Sequence, residues 1–395
     1  MRALLLSLSL ALAGCAKHAS TDAMADGDAR IVWPPPPQVA RVAYVDAIES
    51  AEWAAPPSKF KQAVWSVLGR SSSPTKFNKP FGVDTDSQGR IYVTDTGWSA
   101  VLVFDQANKK FSWLGRSGRG QLAKPSGIEI DERDHVYVAD TRLEAVLEYD
   151  PDGKLVQVLG GGVVARPTDV AVLEDRGELW ITDTELHGIV ILDKQGNHLR
   201  TIGQKGTDPE DFRFPAQLAT NPRTGDVFVA DTMNFRIQVL DRDGNFVRRW
   251  GSNGDCLSCF SRPKGIDVDK DGRVYIVDSV FSNVRIFTPQ GDLLVFFADG
   301  GNEPGNLWLP AGMSVDDDGM IYVVSQYSWR VNRYELLDVD EGALPPPAEE
   351  AAAPSEEAEA SEGALPEGGQ PPVEGALPAA EPAAEPAAEE AAAAE

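Results

Sequence analysis

The sequence predicts an all-β fold, a six-bladed β-propeller closed by a strand from near the N-terminus. Three observations carry this. A Pro precedes a short apolar strand six times, at Pro80, Pro125, Pro167, Pro215, Pro263 and Pro310, with spacings of 45, 42, 48, 48 and 47 residues. About fifteen residues after each Pro a second strand ends on Asp95, Asp140, Asp183, Asp231 and Asp278, with Ser325 in the sixth place. The sixth copy lacks a fourth strand, and an unused strand at residues 39–45 precedes the first copy. A repeat of this length built from short strands means a propeller or an array.

The fourth copy shows the elements in order. Gln217 to Thr220 alternates as a strand, and residues 221–225 carry the turn signals Asn-Pro and Gly. Residues 226–231 form a second strand, and 236–240, rich in β-branched residues, a third. Asp241-Arg242-Asp243-Gly244 is a hairpin turn leading into a fourth strand at 245–250. Alternation with period two between Gly, Pro and Asn punctuation is the β signal. Four short antiparallel strands make one blade, and blades packed around an axis bury both faces of each sheet. Val83, Ile128, Val170, Leu218, Ile266 and Met313 share one position in the repeat and are expected between blades. The strand at 39–45 is expected to complete the last blade.

The repeat resembles the NHL family. Residues 231–241 are close to that family's core motif, and Pro263 to Asp269 followed by Gly272-Arg273-Val274-Tyr275 is a second match. The resemblance covers residues 77–337 and implies a six-bladed propeller. It implies no single activity, because function lies in sites and not in folds.

The segments outside the repeat suggest an address. Met1-Arg2 is followed by an apolar run from Ala3 to Ala13, too short for a membrane span. Leu12-Ala13-Gly14-Cys15 resembles a bacterial lipobox, which implies a signal peptide over 1–14 and lipidation of Cys15. Ala16 after that Cys points by resemblance to the outer membrane, facing the periplasm. Residues 15–38 read as a Pro-rich tether, and 39–76 as the closing strand plus a short helix from Ser58 to Gly69. Residues 338–395 are an Ala, Glu and Pro tail expected to be disordered. From 341 onward it holds 14 Glu and no Lys, Arg or Asp, out of a net charge of −25. This acidic balance argues against nucleic-acid binding.

Signs of catalysis are sparse. There is no phosphate-cradling glycine loop, GxSxG elbow or HExxH motif. His135, His187 and His198 occupy different places in the repeat and read as solvated side chains. Cys256 and Cys259 form a C-x-x-C, and Phe260 stands where c-type haem attachment needs His. An oxidising compartment favours a local disulfide between them.

The residues flanking the inter-blade position should face the channel. They bring Asp84, Glu129, Asp169 and Asp267 toward one axis, a set whose oxygens suit calcium. Otherwise no cofactor is expected. Similarity to six-bladed lactonases, which hold such an ion, is incomplete, because Asn is missing from the row. Trp98, Leu143, Leu186, Phe235, Phe281 and Trp329 follow the second strand and are expected to form an apolar binding rim. The preceding Asp is expected to cap its turn. Together these features favour a lipid-anchored propeller that binds or scaffolds a protein partner in the cell envelope and is not an enzyme. A calcium-dependent lactonase- or esterase-like hydrolase is the alternative, and an accessory subunit of an envelope redox or secretion complex a third.

Overall fold

The computed structural model describes residues 30–58 and 75–337. The expected signal peptide, Cys15, most of the expected tether, the helix expected from Ser58 and the acidic tail lie outside them. The chain divides into two units, Met1–Leu344 and Pro345–Glu395. Only the first contains described residues.

That unit is a six-bladed propeller with five four-stranded sheets and one five-stranded sheet. Blade 1 runs outward through Pro80–Thr85, Ile91–Asp95, Ala100–Asp105 and Lys110–Leu114. The innermost strands of the next five blades are Pro125–Ile130, Pro167–Leu173, Pro215–Thr220, Pro263–Val268 and Pro310–Val315. Each begins at the repeat's Pro, where no ladder donor is needed. Apolar clusters fill the gap between each pair of neighbouring blades. Between blades 4 and 5, for example, Phe228 and Val239 meet Phe260, Ile266 and Ile276. All six residues of the expected inter-blade position are buried. Full burial of one such side chain contributes about 1.5–3 kcal/mol.

The ring closes in blade 6. Val42–Ile48 pairs with Arg330–Leu336, with Tyr44 opposite Tyr334 and Ile48 opposite Val331. The closing strand therefore sits three residues later than the sequence suggests. Val39 is exposed, whereas Val42 and Ile48 are fully buried. Asp46 fixes the placement, accepting from Arg333 Nε at 2.6 Å and from Trp53 Nε1 at 3.2 Å. A fifth strand, Val32–Trp33, lies outside it. The end of the expected tether is thus built into the blade. Its Trp33 ring packs 6.0 Å from Phe297 and 5.8 Å from Tyr334, which offsets the ordering of a Pro-rich segment.

The Asp ending each second strand is a lock. Asp140, fully buried, accepts N–H bonds from Ala123 and Lys124 of the incoming connection and from Arg142 and Leu143 of the following turn. Asp95, Asp183 and Asp278 hold the same two segments. A buried carboxylate tolerates this position because several backbone donors replace its water. Ser325 keeps the connection, accepting from Trp308 N at 2.8 Å, and meets the following turn through the Ser328 hydroxyl.

Candidate active site in the central channel

The inner strands approach most closely at one level of the axis. A Cβ on Gly82, Gly265 or Gly312 would lie 2.7, 2.5 or 2.6 Å from a carbonyl oxygen of the next blade. Only Gly permits that approach. Blades 3 and 4 carry Asp169 and Gln217 at the same level, and both side chains are buried. They occupy the space the glycines leave: a Cβ on Gly127 would fall 1.9 Å from Asp169 Oδ1, and one on Gly265 3.2 Å from Gln217 Oε1.

On one side of this level lies a cavity of about 440 Å³. Asp84, Glu129, Asp169 and Asp267 all line it, so the structure brings the four sequence-predicted carboxylates together. Every charged side chain in its wall is acidic. The turns between first and second strands supply its rim, including Asp131 and Asp316.

The side chains reach the cavity from the seams between blades. Asp84 Oδ2 accepts from Ile130 N of the next blade at 2.7 Å, and its Oδ1 accepts from Thr85 N and from Ser314 Oγ. Asp267 accepts from Val268 N and from Val315 N of the next blade, both at 2.7 Å. Asp169 accepts from Leu218 N of the next blade at 3.2 Å, and Glu129 from Val172 N. Each carboxylate thus clasps the following blade. Ala171 and Ala219, at the same repeat position, pack into the seams instead.

Electrostatics set the cluster apart. Burial pushes Asp84 up to about 6. Burial, with the Asp84 charge added, pushes Asp267 up to about 7. Glu129 is raised well above the usual range by burial and then by Asp84, Asp267 and Asp169 together. Burial likewise raises Asp169. The backbone donors pull the other way, and burial among like charges wins. Near neutral pH the cluster therefore holds protons that an exposed set would have lost.

Gln217 Oε1 is a buried acceptor without a hydrogen-bond partner, next to Asp169. Among the described residues, however, no three His, Cys, Asp or Glu side chains gather as a metal site. Each carboxylate is turned toward its own seam.

The other sequence candidates are dispersed. Trp98, Leu143, Leu186 and Trp329 are exposed, and Phe235 and Phe281 are partly buried. They do not share one position. Phe235 and Trp329 take the left-handed place in the turn, at φ 56° and 48°, where the other blades have Ser99, Glu144, His187 and Ser282. A single rim is therefore replaced by local patches, such as Trp98, Trp113 and Trp329 around a 560 Å³ cleft. A disulfide joins Cys256 and Cys259. His135 pairs with Glu148, His187 accepts from Phe214 N, and His198 meets Thr201, all far apart in the repeat.

One recurrent feature escaped the sequence reading. Asp86, Asp131, Asp269 and Asp316 each meet the hydroxyl of a Tyr six residues later, Tyr92, Tyr137, Tyr275 and Tyr322. The same carboxylates accept the turn N–H groups, as Asp131 does from Arg133 and His135. This Asp and Tyr spacing was a readable signal for the cavity rim.

No protein-family model matches the chain, and neither does any curated protein. Solved structures do. Virginiamycin B lyase from Staphylococcus aureus is 13% identical, with 66% of this chain and 95% of that chain covered and a TM-score of 0.50. A structural genomics protein from Bacteroides thetaiotaomicron is 16% identical, with 75% and 76% covered and a TM-score of 0.52. A gluconolactonase from Xanthomonas campestris is 17% identical, with 74% and 98% covered and a TM-score of 0.49. At these identities the likeness to the first two supports the fold alone, a six-bladed β-propeller. The lyase also corrects the expectation of a non-enzymatic scaffold. That lyase is an enzyme with this fold, so the fold gives no support to a non-enzymatic reading. The scaffold reading is withdrawn.

Proposed function

We propose that this chain is a propeller enzyme of the hydrolase class, acting on a small ester or lactone in the channel cavity. The observation that carries it is the gathering of Asp84, Glu129, Asp169 and Asp267 around one cavity, with Asp84 and Asp267 held near neutral values. General acid–base catalysis works best when a group titrates near the working pH. Like-charged carboxylates buried in one site separate into an ionised base and a protonated acid.

In this reading ionised Asp84 takes a proton from a water molecule as that water's oxygen attacks the substrate carbonyl. Glu129, kept protonated by its neighbours, gives its proton to the departing alkoxide oxygen. The carbonyl–oxygen bond breaks, the products are a carboxylic acid and an alcohol, and the two groups end with their protons exchanged. The acidic wall favours neutral or cationic substrates over anions.

The test is hydrolysis of a panel of lactones and esters by purified protein, with calcium present and with chelator. Turnover that falls at least about 100-fold in Glu129→Gln, with folding retained, supports the reading. Turnover by the native protein that is unchanged in Asp84→Asn and Glu129→Gln would overturn it. Calcium-dependent turnover would restore the metal as part of the site. We further infer that the NHL-like repeats sit at the bacterial outer membrane through a lipid on Cys15. The lipobox-like Leu12 to Cys15 supports this, and loss of membrane association in Cys15→Ser tests it.

A further inference from the structure

The propeller axis has a second mouth, on the other side of the glycine level. Its wall is opposite in character to the acidic cavity. A bowl of about 640 Å³ is lined by the cations Lys124, Arg142 and Arg166, together with Phe81 and hydroxyl side chains, and no carboxylate lines it. Lys264 reaches the same place from blade 5. Its Nζ lies 4.6 Å from the centre of the Phe81 ring and 3.4 Å from Gln326 Oε1.

The bowl follows from the repeat. Lys124 and Arg166 stand immediately before their blade's Pro, and Lys264 immediately after. These positions converge on the axis where each innermost strand begins. Arg142 comes from the turn that Asp140 locks, so its backbone is fixed.

The cations are poorly compensated. Among the described residues, Lys124, Arg142 and Lys264 form no ion pair. Arg166 has only Glu185 at 3.8 Å, with both side chains more than half exposed. Such a pair contributes little. In a chain with 61 acidic and 36 basic residues, carboxylates were available to neutralise them. Lys264 adds an independent sign. Burial and the nearby Arg262 lower its pKa to about 8, the mark of an ammonium held away from water without a counter-charge.

We propose that this mouth binds a small multivalent anion, carrying carboxylate or phosphate groups, between Lys264 on one side and Lys124, Arg142 and Arg166 on the other. The anion supplies the charge these side chains lack. The guanidinium groups give it paired donors, and the Phe81 ring leaves room for a short carbon frame. The acidic cavity at the other end repels the same ligand, so the axis itself orients binding. This site does not depend on the hydrolase reading.

The test is calorimetric titration of the full chain with inorganic pyrophosphate and, separately, with citrate, at low and high salt. Binding that weakens with salt is expected, with roughly a ten-fold loss of affinity in each of Arg142→Gln, Arg166→Gln and Lys264→Met. Lys264→Arg should retain most of the binding, which separates charge from fold should Lys264→Met unfold. The two exposed arginine variants should leave hydrolysis at the carboxylates unchanged. Preference for pyrophosphate or for citrate identifies the charged group. Failure of both anions to bind at millimolar concentration overturns the proposal. So does binding that is indifferent to all of these substitutions.

Discussion

Replacing Asp267 by Asn tests the electrostatic account of the channel without any substrate. The carboxyl is moved from an ordinary aspartate value of 3.8 to about 7. A raised acid means that the folded chain binds the proton more tightly than the unfolded chain. Its contribution is therefore complete below pH 3.8 and is lost as pH rises through about 7. At about 1.36 kcal/mol per pH unit, the loss approaches ~4 kcal/mol. Asp267 is partly open to the cavity, so water screening reduces this to about 2 kcal/mol. The Asn side chain introduces an N–H₂ toward Val268 N or Val315 N, whose N–H groups the carboxylate accepts. That cost is the same at every pH, and it cancels when slopes are compared. Melting temperatures of native protein and Asp267→Asn measured from pH 4.5 to 8 should therefore diverge. The native protein should lose about 4 °C more than the variant over this range. Parallel curves, or a native protein that gains stability relative to the variant as pH rises, would refute the buried-cluster argument.

Other outcomes follow from single contacts. Asp140→Ala removes the acceptor of four backbone N–H groups and should cost about 3 kcal/mol or more, read from urea unfolding, with Asp140→Asn milder. Gly312→Ala places a Cβ 2.6 Å from Phe81 O, a backbone atom that cannot swing aside, and should lower the melting temperature by several degrees. Trp329→Asn relieves a left-handed backbone at an exposed site, so it should stabilise by about 1 kcal/mol in the same assay. Removing residues 30–48 exposes the edge of Arg330–Leu336 and should produce concentration-dependent association in sedimentation runs.

Much of the fold was legible because the repeat states it six times. Pro at the start of each inner strand, Asp at the end of five of the six second strands and Asp-Gly turns fix blade boundaries by local chemistry alone. The closing strand was readable as an unpaired strand, but its register was not. Val42 is selected by the apolar seam between blades 5 and 6, Ile48 by that between blades 6 and 1, and the register by Arg333, which lies 287 residues from Asp46 in the chain. Val32–Trp33 was hidden for a similar reason. A Pro-rich stretch has no periodicity, and Trp33 is set in the sheet by pairing with Val42 and by packing on Phe297 and Tyr334.

The site divides along the same line. Spacing placed Asp84, Glu129 and Asp267 at one level, since identical repeats put equivalent residues at equivalent heights. It did not reveal where their oxygens point. Each carboxylate turns into the seam toward the next blade because an inner-strand N–H there lacks a partner, as Ile130 N and Val315 N show. The clasp keeps the groups apart, which disfavours a shared ion, yet it holds them deep enough to repel one another and retain protons. Structure and chemistry thus draw on the same contacts. A substitution that only removed charge would leave the seams unclasped, and one that only loosened a seam would let water in and return the carboxylates toward ordinary values. The two can be separated at Ser314, whose hydroxyl donates to Asp84 Oδ1 at 2.9 Å but carries no charge. Ser314→Ala removes a bond that favours the ionised form, so it should raise the Asp84 pKa while the Ile130 clasp persists. The basic limb of Asp84 titration, followed by carboxyl carbon NMR, should move upward. A downward shift, or none, would mean that solvent rather than this bond governs Asp84.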